Sequence, residues 1–367
     1  MKKVLFLTSA DLMKSYHSGG EHACKKNLEF LQDIYGKENV DIFFFSEWKG
    51  DFPEHYYAVK RLRKWKALLA QIMGNITYFP WSEKKILKII SNLKPDIIFF
   101  DGSLTGNLLR KIPTNIYTVV FEHNFEKKYH YLKMKHEGWM YAPGYWAASK
   151  CEKIAISQCN TLICISERDS EEICNEYGRK ADTILPVTFA NQFDPKKNTQ
   201  TSFSKELLFI GSNFGPNYDG ISWFVNQVMP KLPEFTLYIV GKDFEQNKEQ
   251  LERKNVIVIG TVENLEEYYY RFPVIVIPIL YGSGMKVKTA EAMMYGRTIF
   301  ATDEALEGYQ TEKIEGIFRC NSQKEFVNKI TEFYNKEIPI FQKEVYQLYL
   351  DKYSSEAGRR ILKNVMP

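Results

Sequence analysis

"PVIVIPILYGSGMKVKTAEAMMYG" occupies residues 273–296. Its first part is an apolar, β-branched run bounded by proline and glycine and too short for a helix, so it reads as a buried strand. A glycine-containing turn follows, and then a stretch of helical character. This is where α/β proteins hold anionic ligands, because glycine lets backbone approach closely and a helix start offers unpaired N–H groups. Lys286 and Lys288 fall at the start of that helix, the unfavourable end for cations unless an anion is bound there. Glu291 comes two turns after Gly284 on one face, about 10 Å along at about 1.5 Å per residue, and its side chain leans back toward the helix start. A diphosphate on the Gly282–Gly284 turn and a ribose beside Glu291 would fit one nucleotide sugar. The competing reading is a tight strand-to-helix connection with a solvated glutamate. The turn is no P-loop, since no Gly-Lys-Ser/Thr follows at the right spacing, and it lacks the third glycine of a dinucleotide fingerprint.

Working outward, short apolar runs alternate with helical stretches, the pattern of parallel sheets covered by helices. Strands are expected at 3–7, 40–45, 96–100, 117–122 and 161–166, with helices at 21–34, 82–93 and 145–158. A second series is expected at 206–212, 235–241, 255–260, 273–280 and 298–302. Between the series, "VTFANQFDPKKNTQTSFSK" loses periodicity and has a linker's composition. The chain is therefore expected to be α/β, with two tandem Rossmann-like, doubly wound domains facing a central cleft. The first covers 1–186, the second 203–350.

Composition agrees with a globular protein: 44% apolar, 26% charged, net charge +4 over 367 residues. That charge is too small to argue for nucleic acid. Its excess lies in residues 1–185, with 27 basic against 22 acidic residues, a hint of an anionic partner on that side. The six cysteines show neither a CxxC pair nor zinc spacing and read as reduced, buried thiols. The first apolar run is too short for a signal peptide, and the longest, 273–281, too short to span a bilayer. A cytoplasmic protein is expected, peripheral on the inner face of the membrane.

With these residues in view, "GPNYDGISWFVNQVMP", "YIVGKD", "VIVIGTVENLEEYY" and the stretch from 274 to 309 together resemble the nucleotide-sugar half of GT-B glycosyltransferases, family 4 above all. "SGGEHACKKNLEFL", "VFEHN" and "LICISERDSEEICNEYG" resemble its other half. The resemblance implies a retaining transferase taking a UDP- or GDP-type donor to a glycan or lipid-linked acceptor in surface polysaccharide biosynthesis, with the first domain on the acceptor side. It also implies a last helix, 351–367, crossing back to the first domain. Glu291 matches the second glutamate of the family's Glu-x7-Glu motif, which holds the ribose; the first is replaced by Ser283. Lys286 corresponds to the basic residue near the diphosphate, Gly19 and Gly20 to a glycine pair near donor phosphate and acceptor, and His123 to a histidine at the transferred sugar. Lys242 lies in a segment beside the nucleotide, and Asn213, Gly282, Gly284 and Met285 complete the donor set. No Asp-x-Asp triplet occurs, so no obligatory metal and no other cofactor is expected. Two alternatives stay open: a non-catalytic partner subunit, favoured by Ser283, and a GT-B-type sugar-nucleotide epimerase.

The basic run at 56–81 places Lys60, Arg61, Arg63, Lys64 and Lys66 among Leu62, Trp65, Leu68 and Leu69. On a helix, such a pattern suits an anionic membrane surface, or else an ordinary helix packed on a sheet.

Overall fold

The computed structural model describes residues 2–13, 19–48, 50–199, 204–282, 284–336 and 339–367. The chain folds as two units, Met1–Thr188 with Glu356–Pro367, and Phe189–Ser355.

The first unit is built on a seven-stranded parallel sheet: β1 (Val4–Thr8), β2 (Val40–Ser46), β3 (Tyr56–Lys60), β4 (Ile97–Asp101), β5 (Tyr117–Glu122), β6 (Thr161–Cys164) and β7 (Thr183–Ile184), in the order β3-β2-β1-β4-β5-β6-β7. β1 aligns Val4 with Val40 on one side and with Ile97 on the other. β1 and β4 are buried along their whole length, which is why they read as unbroken apolar runs. The helices Gly19–Tyr35, Glu83–Leu93 and Ala142–Gln158 cover the sheet.

The second unit has six parallel strands, β8 (Glu206–Ile210), β9 (Thr236–Val240), β10 (Val256–Gly260), β11 (Val274–Ile277), β12 (Thr298–Ala301) and β13 (Ile317–Arg319), in the order β10-β9-β8-β11-β12-β13. In both sheets the order reverses beside the first strand of the unit, at β1/β4 and β8/β11. A crevice opens at such a reversal beyond the carboxyl ends of the strands. The doubly wound expectation is met twice.

Three details depart from the sequence reading. The linker is no free tether. The Phe189 N–H donates to the Tyr353 carbonyl at 2.9 Å and the Ser355 N–H to the Phe189 carbonyl at 2.9 Å, while Phe193 stacks on Phe341 at 5.0 Å and on Tyr270 at 6.0 Å. Two phenylalanines anchor a stretch whose polar composition hid them. The last helix starts at Ser355 rather than 351, because Tyr349–Tyr353 forms a π-turn belonging to the second unit; Leu362 and Met366 join the first unit's core beside Phe30 and Leu31. The run at 56–81 is not one helix. Residues 56–60 form the edge strand β3, and the helix covers only Lys64–Ile72. All six cysteines are free thiols, five of them buried.

Candidate functional site

In the second unit the site grows from the β8/β11 reversal. The turn after β11 leads through Gly282 and Gly284 to the helix Val287–Met294. Gly284 has φ +68° with open space where a Cβ would stand, a left-handed conformation that suits glycine. Ser283 lies outside the described residues. The turn after β9 comes so close to β8's end that a Cβ on Gly241, at φ +140°, would meet the Gly211 carbonyl oxygen at 1.8 Å.

Glu291 is half-buried, and its Oε2 accepts a hydrogen bond from the Tyr269 hydroxyl at 2.9 Å. Tyr269 is itself buried and stacks on Tyr295 at 4.8 Å, so the carboxylate is held in one place. Burial raises its pKa, while the Tyr269 bond and Lys288 pull the other way.

Lys286 stands just before the helix rather than in its first turn. Its Nζ donates to the Gly284 carbonyl at 2.8 Å and to Glu304 Oε1, and the Tyr309 hydroxyl donates to its carbonyl at 2.9 Å. Lys288 sits one residue inside the helix. Its Nζ reaches Asn217 Oδ1 on the helix Gly215–Trp223 and lies 4.8 Å over the Phe209 ring, so it ties the two sides of the reversal together. No acidic residue occupies that helix's first turn.

The remaining donor-side candidates do other work. Asn213 spends its side-chain N–H₂ on the Asp243 carbonyl at 3.0 Å and on Asn247; it braces the loops after β8 and β9. Met285 packs half-buried against Gly308, and Lys242 is exposed.

In the first unit the reversal is at β1/β4. Gly19 and Gly20 open the helix Gly19–Tyr35, and a Cβ on Gly20 would meet nothing within 4 Å. Asp101 ends β4, and its buried carboxylate accepts from Asn27 Nδ2 at 2.9 Å, from Thr8 Oγ1 at 3.3 Å and from His123 Nε2 at 3.0 Å. Burial alone would raise the Asp101 pKa, but the facing His123 and these donors hold it below the usual carboxylate value. Burial would lower His123 likewise, and Asp101 more than offsets it, so its pKa is raised. The Nδ1 of His123 is buried and has no partner among the described residues.

Beside this pair lie three buried carboxylates, Glu122, Glu126 and Glu152. Glu152 accepts from the N–H groups of Glu126 at 2.6 Å and Lys127 at 3.1 Å and from the Tyr177 hydroxyl at 2.7 Å, capping the helix Glu126–Glu137. Burial and repulsion from Glu152 and Glu126 push the Glu122 pKa well up.

The sequence reading missed Asp101, Asn217, Tyr269 and Glu304. Asp101 left a signal, an acid closing an otherwise apolar strand. The other three act across tertiary contacts that no local pattern announces.

Residues 204–336 match the family described as glycosyl transferases group 1. The matched stretch lies within the second unit. Among solved structures, the apo lipopolysaccharide outer core galactosyltransferase WaaB is similar at TM-score 0.65 with 14% identity, over 99% of this chain and 98% of that one. HepE of Anabaena in complex with UDP is similar at TM-score 0.64 with 12% identity, over 99% and 98%. The sucrose-phosphate synthase of Thermosynechococcus elongatus gives 0.62 with 14% identity, over the same shares. Identities this low show the fold alone, and that fold is GT-B. A curated relative, an uncharacterized 44.6 kDa protein in the cps region of Klebsiella pneumoniae, is 28% identical over 146 residues, 36% of this chain and 37% of the relative.

Proposed function

We propose that the chain is a retaining glycosyltransferase that moves a sugar from a UDP- or GDP-type donor to a glycan or lipid-linked acceptor in surface polysaccharide synthesis. The observation that carries the reading is the Glu291 carboxylate, fixed by buried Tyr269 just over one turn into the helix Val287–Met294, which follows the Gly282–Gly284 turn and has Lys286 and Lys288 at its start. A nucleoside diphosphate presents neutral ribose hydroxyls and an anionic diphosphate at about that separation. As the glycosidic bond breaks, negative charge grows on the leaving diphosphate; lysine charge, turn amides and the helix dipole would stabilise it. His123, oriented by Asp101, would hydrogen-bond the transferred sugar. No step needs a metal. The cps-region relative and the UDP held by HepE support the pathway and donor class.

A non-catalytic partner subunit draws support from serine at 283. The braced histidine with an unpartnered ring nitrogen favours retained chemistry instead. Incubation with a panel of UDP- and GDP-sugars, with slow donor hydrolysis followed by nucleotide release, should select one donor. Release from none, with no nucleotide bound, would favour the partner-subunit reading.

The acceptor side has a candidate membrane surface. Among the described residues, no helix is long and apolar enough to cross a bilayer, yet the helix Lys64–Ile72 turns its large apolar side chains, Trp65, Leu68, Leu69 and Ile72, outward. Trp65 is 66% exposed and Ile72 65%, where a helix packed on a sheet would bury them. The helices Lys64–Ile72 and Ala142–Gln158 pack together, and on the latter Trp146 is 71% exposed. Lys60 and Arg61, both exposed, flank the apolar side chains, while Arg63 pairs with Glu47; the Lys64 side chain lies outside the described residues. Such an aromatic surface edged by cations suits an anionic bilayer carrying a lipid-linked acceptor.

A further inference from the structure

Two lysines stand at the donor turn, and they are not equivalent. Lys286 already has a carboxylate, Glu304, and the Gly284 carbonyl as partners. Its charge is answered before any ligand arrives, and its bonds hold the turn in shape. Among the described residues, Lys288 touches no carboxylate. Its ammonium meets an amide oxygen, Asn217 Oδ1, and the face of Phe209. It lies in the first turn of a helix with no acidic residue there to offset the dipole, where a cation is disfavoured. The charged groups around it are few. Glu291 lies one turn further along the same helix, and Lys286 lies two residues before it, paired to Glu304 from the segment after β12. The helix Gly215–Trp223 offers Asn217 and Asp219, and the Asp219 carboxylate accepts from the Tyr281 hydroxyl. Strand β8 contributes only Phe209 and backbone.

We infer that Lys288, rather than Lys286, is the cation that receives the donor's diphosphate, and that it takes up a proton when the diphosphate binds. The inference deepens the donor-site reading and rests on it. Burial, with Lys286 adding repulsion, brings the Lys288 pKa down to about 7, so the unliganded side chain is partly neutral near physiological pH. A diphosphate at the turn would favour the charged form and raise that pKa. The sign of the linkage follows. Below pH about 7 the amine already carries its proton, and this group leaves affinity unchanged. Above it, each binding event must bring a proton, so affinity falls as pH rises, by up to about tenfold per unit. A sugar donor, whose diphosphate carries no titrating terminal group, would bind with the same dependence.

Isothermal titration with UDP and GDP, each at pH 7.0, 8.0 and 9.0 and in two buffers of different ionisation enthalpy, tests this. The expected result is a nucleotide affinity that falls through this range, with close to one proton taken up per nucleotide at pH 8–9. Uridine or guanosine should show no such trend. Lys288→Met should lose the trend and weaken the diphosphate about tenfold or more at pH 7 while leaving the nucleoside alone; Lys286→Met should keep the trend. Flat affinity and no proton uptake in the wild type, which needs no variant to fold, would overturn the inference. Equal affinity in Lys288→Met would do the same. Glu291→Gln separates the two levels: if it weakens nucleotide binding while Lys288→Met does not, the donor site stands and the Lys288 assignment falls. If neither UDP nor GDP binds, both fall.

Discussion

The two sheets reverse their strand order in the same way, yet the ends they expose carry opposite chemistry. Beyond β8 and β11 stand lysines and glycines, with the carboxylates of Glu291, Asp219 and Glu304 held by Tyr269, Tyr281 and Lys286. Beyond β1 and β4 stands a histidine locked to a buried aspartate, with three further buried carboxylates alongside. One fold plan thus supplies a glycine turn with two lysines in one unit and a carboxylate-rich setting around one histidine in the other. What a doubly wound sheet positions is fixed by topology, whereas the chemistry comes from the few residues just past the strand ends.

The comparison can be broken first at the Asp101–His123 pair. Asp101→Asn should destabilise the protein by about 3 kcal/mol at pH 6, since removing one partner of a buried charged pair leaves the other uncompensated. The pH window follows from the two shifts. Asp101 has a lowered pKa, so its contribution is present above the ordinary carboxylate value and is lost as pH falls through the lowered one. His123 has a raised pKa, so its contribution is complete below the ordinary imidazole value and is lost as pH rises through the raised one. The wild-type advantage should therefore be greatest between about pH 4 and about pH 6.5, and thermal melts across pH would show it. The ring signals of His123 followed by NMR should titrate at lower pH in Asp101→Asn. An unchanged titration would mean that the aspartate does not tune the histidine.

A smaller effect is expected at the surface. Binding to anionic liposomes should be reversible, weaken with salt, and fall when Lys60, Arg61, Arg63 and Lys64 become Ser, each cation near the surface contributing about 1 kcal/mol. Arg63 should contribute least because Glu47 already answers it. Binding indifferent to salt and to the four substitutions would leave the exposed Trp65 and Ile72 with no membrane to explain them.

Most of the fold was legible because buried parallel strands are written as continuous apolar runs; β5 was read to the residue. The strands that escaped, β3, β7 and β13, are short or half-buried pieces at the edges of their sheets. Burial on fewer sides demands less apolar sequence there, so the signal thins out. The linker was misread for a related reason, since Phe189 and Phe193 anchor it within a polar stretch whose side chains, such as Asn191 and Asn198, bond to distant residues. At the candidate site, Lys286 and Lys288 stood out beside the glycine turn, while His123 was offered only by the family resemblance. Their partners did not stand out: Asp101 meets His123 across neighbouring strands, and Glu304 reaches Lys286 from eighteen residues away. Sequence spacing along one element shows what shares a face, whereas these pairs depend on strand order.

The central claim is a division of labour, with the donor held in the second unit and the reacting sugar served by the first. Its most direct test measures donor affinity and single-turnover transfer side by side in wild type, His123→Ala and Glu291→Gln, using the nucleotide sugar selected from the panel. Glutamine at 291 keeps an acceptor for the buried Tyr269 hydroxyl, so the fold should survive. The account predicts crossed effects. His123→Ala should slow transfer about 100-fold or more with donor affinity nearly unchanged, as for a group acting mainly in the transition state. Glu291→Gln should weaken the donor about tenfold, the loss of a charged hydrogen bond to ribose, with less effect on transfer at saturating donor. Parallel losses of affinity and turnover in both variants, or no loss in either, would contradict it.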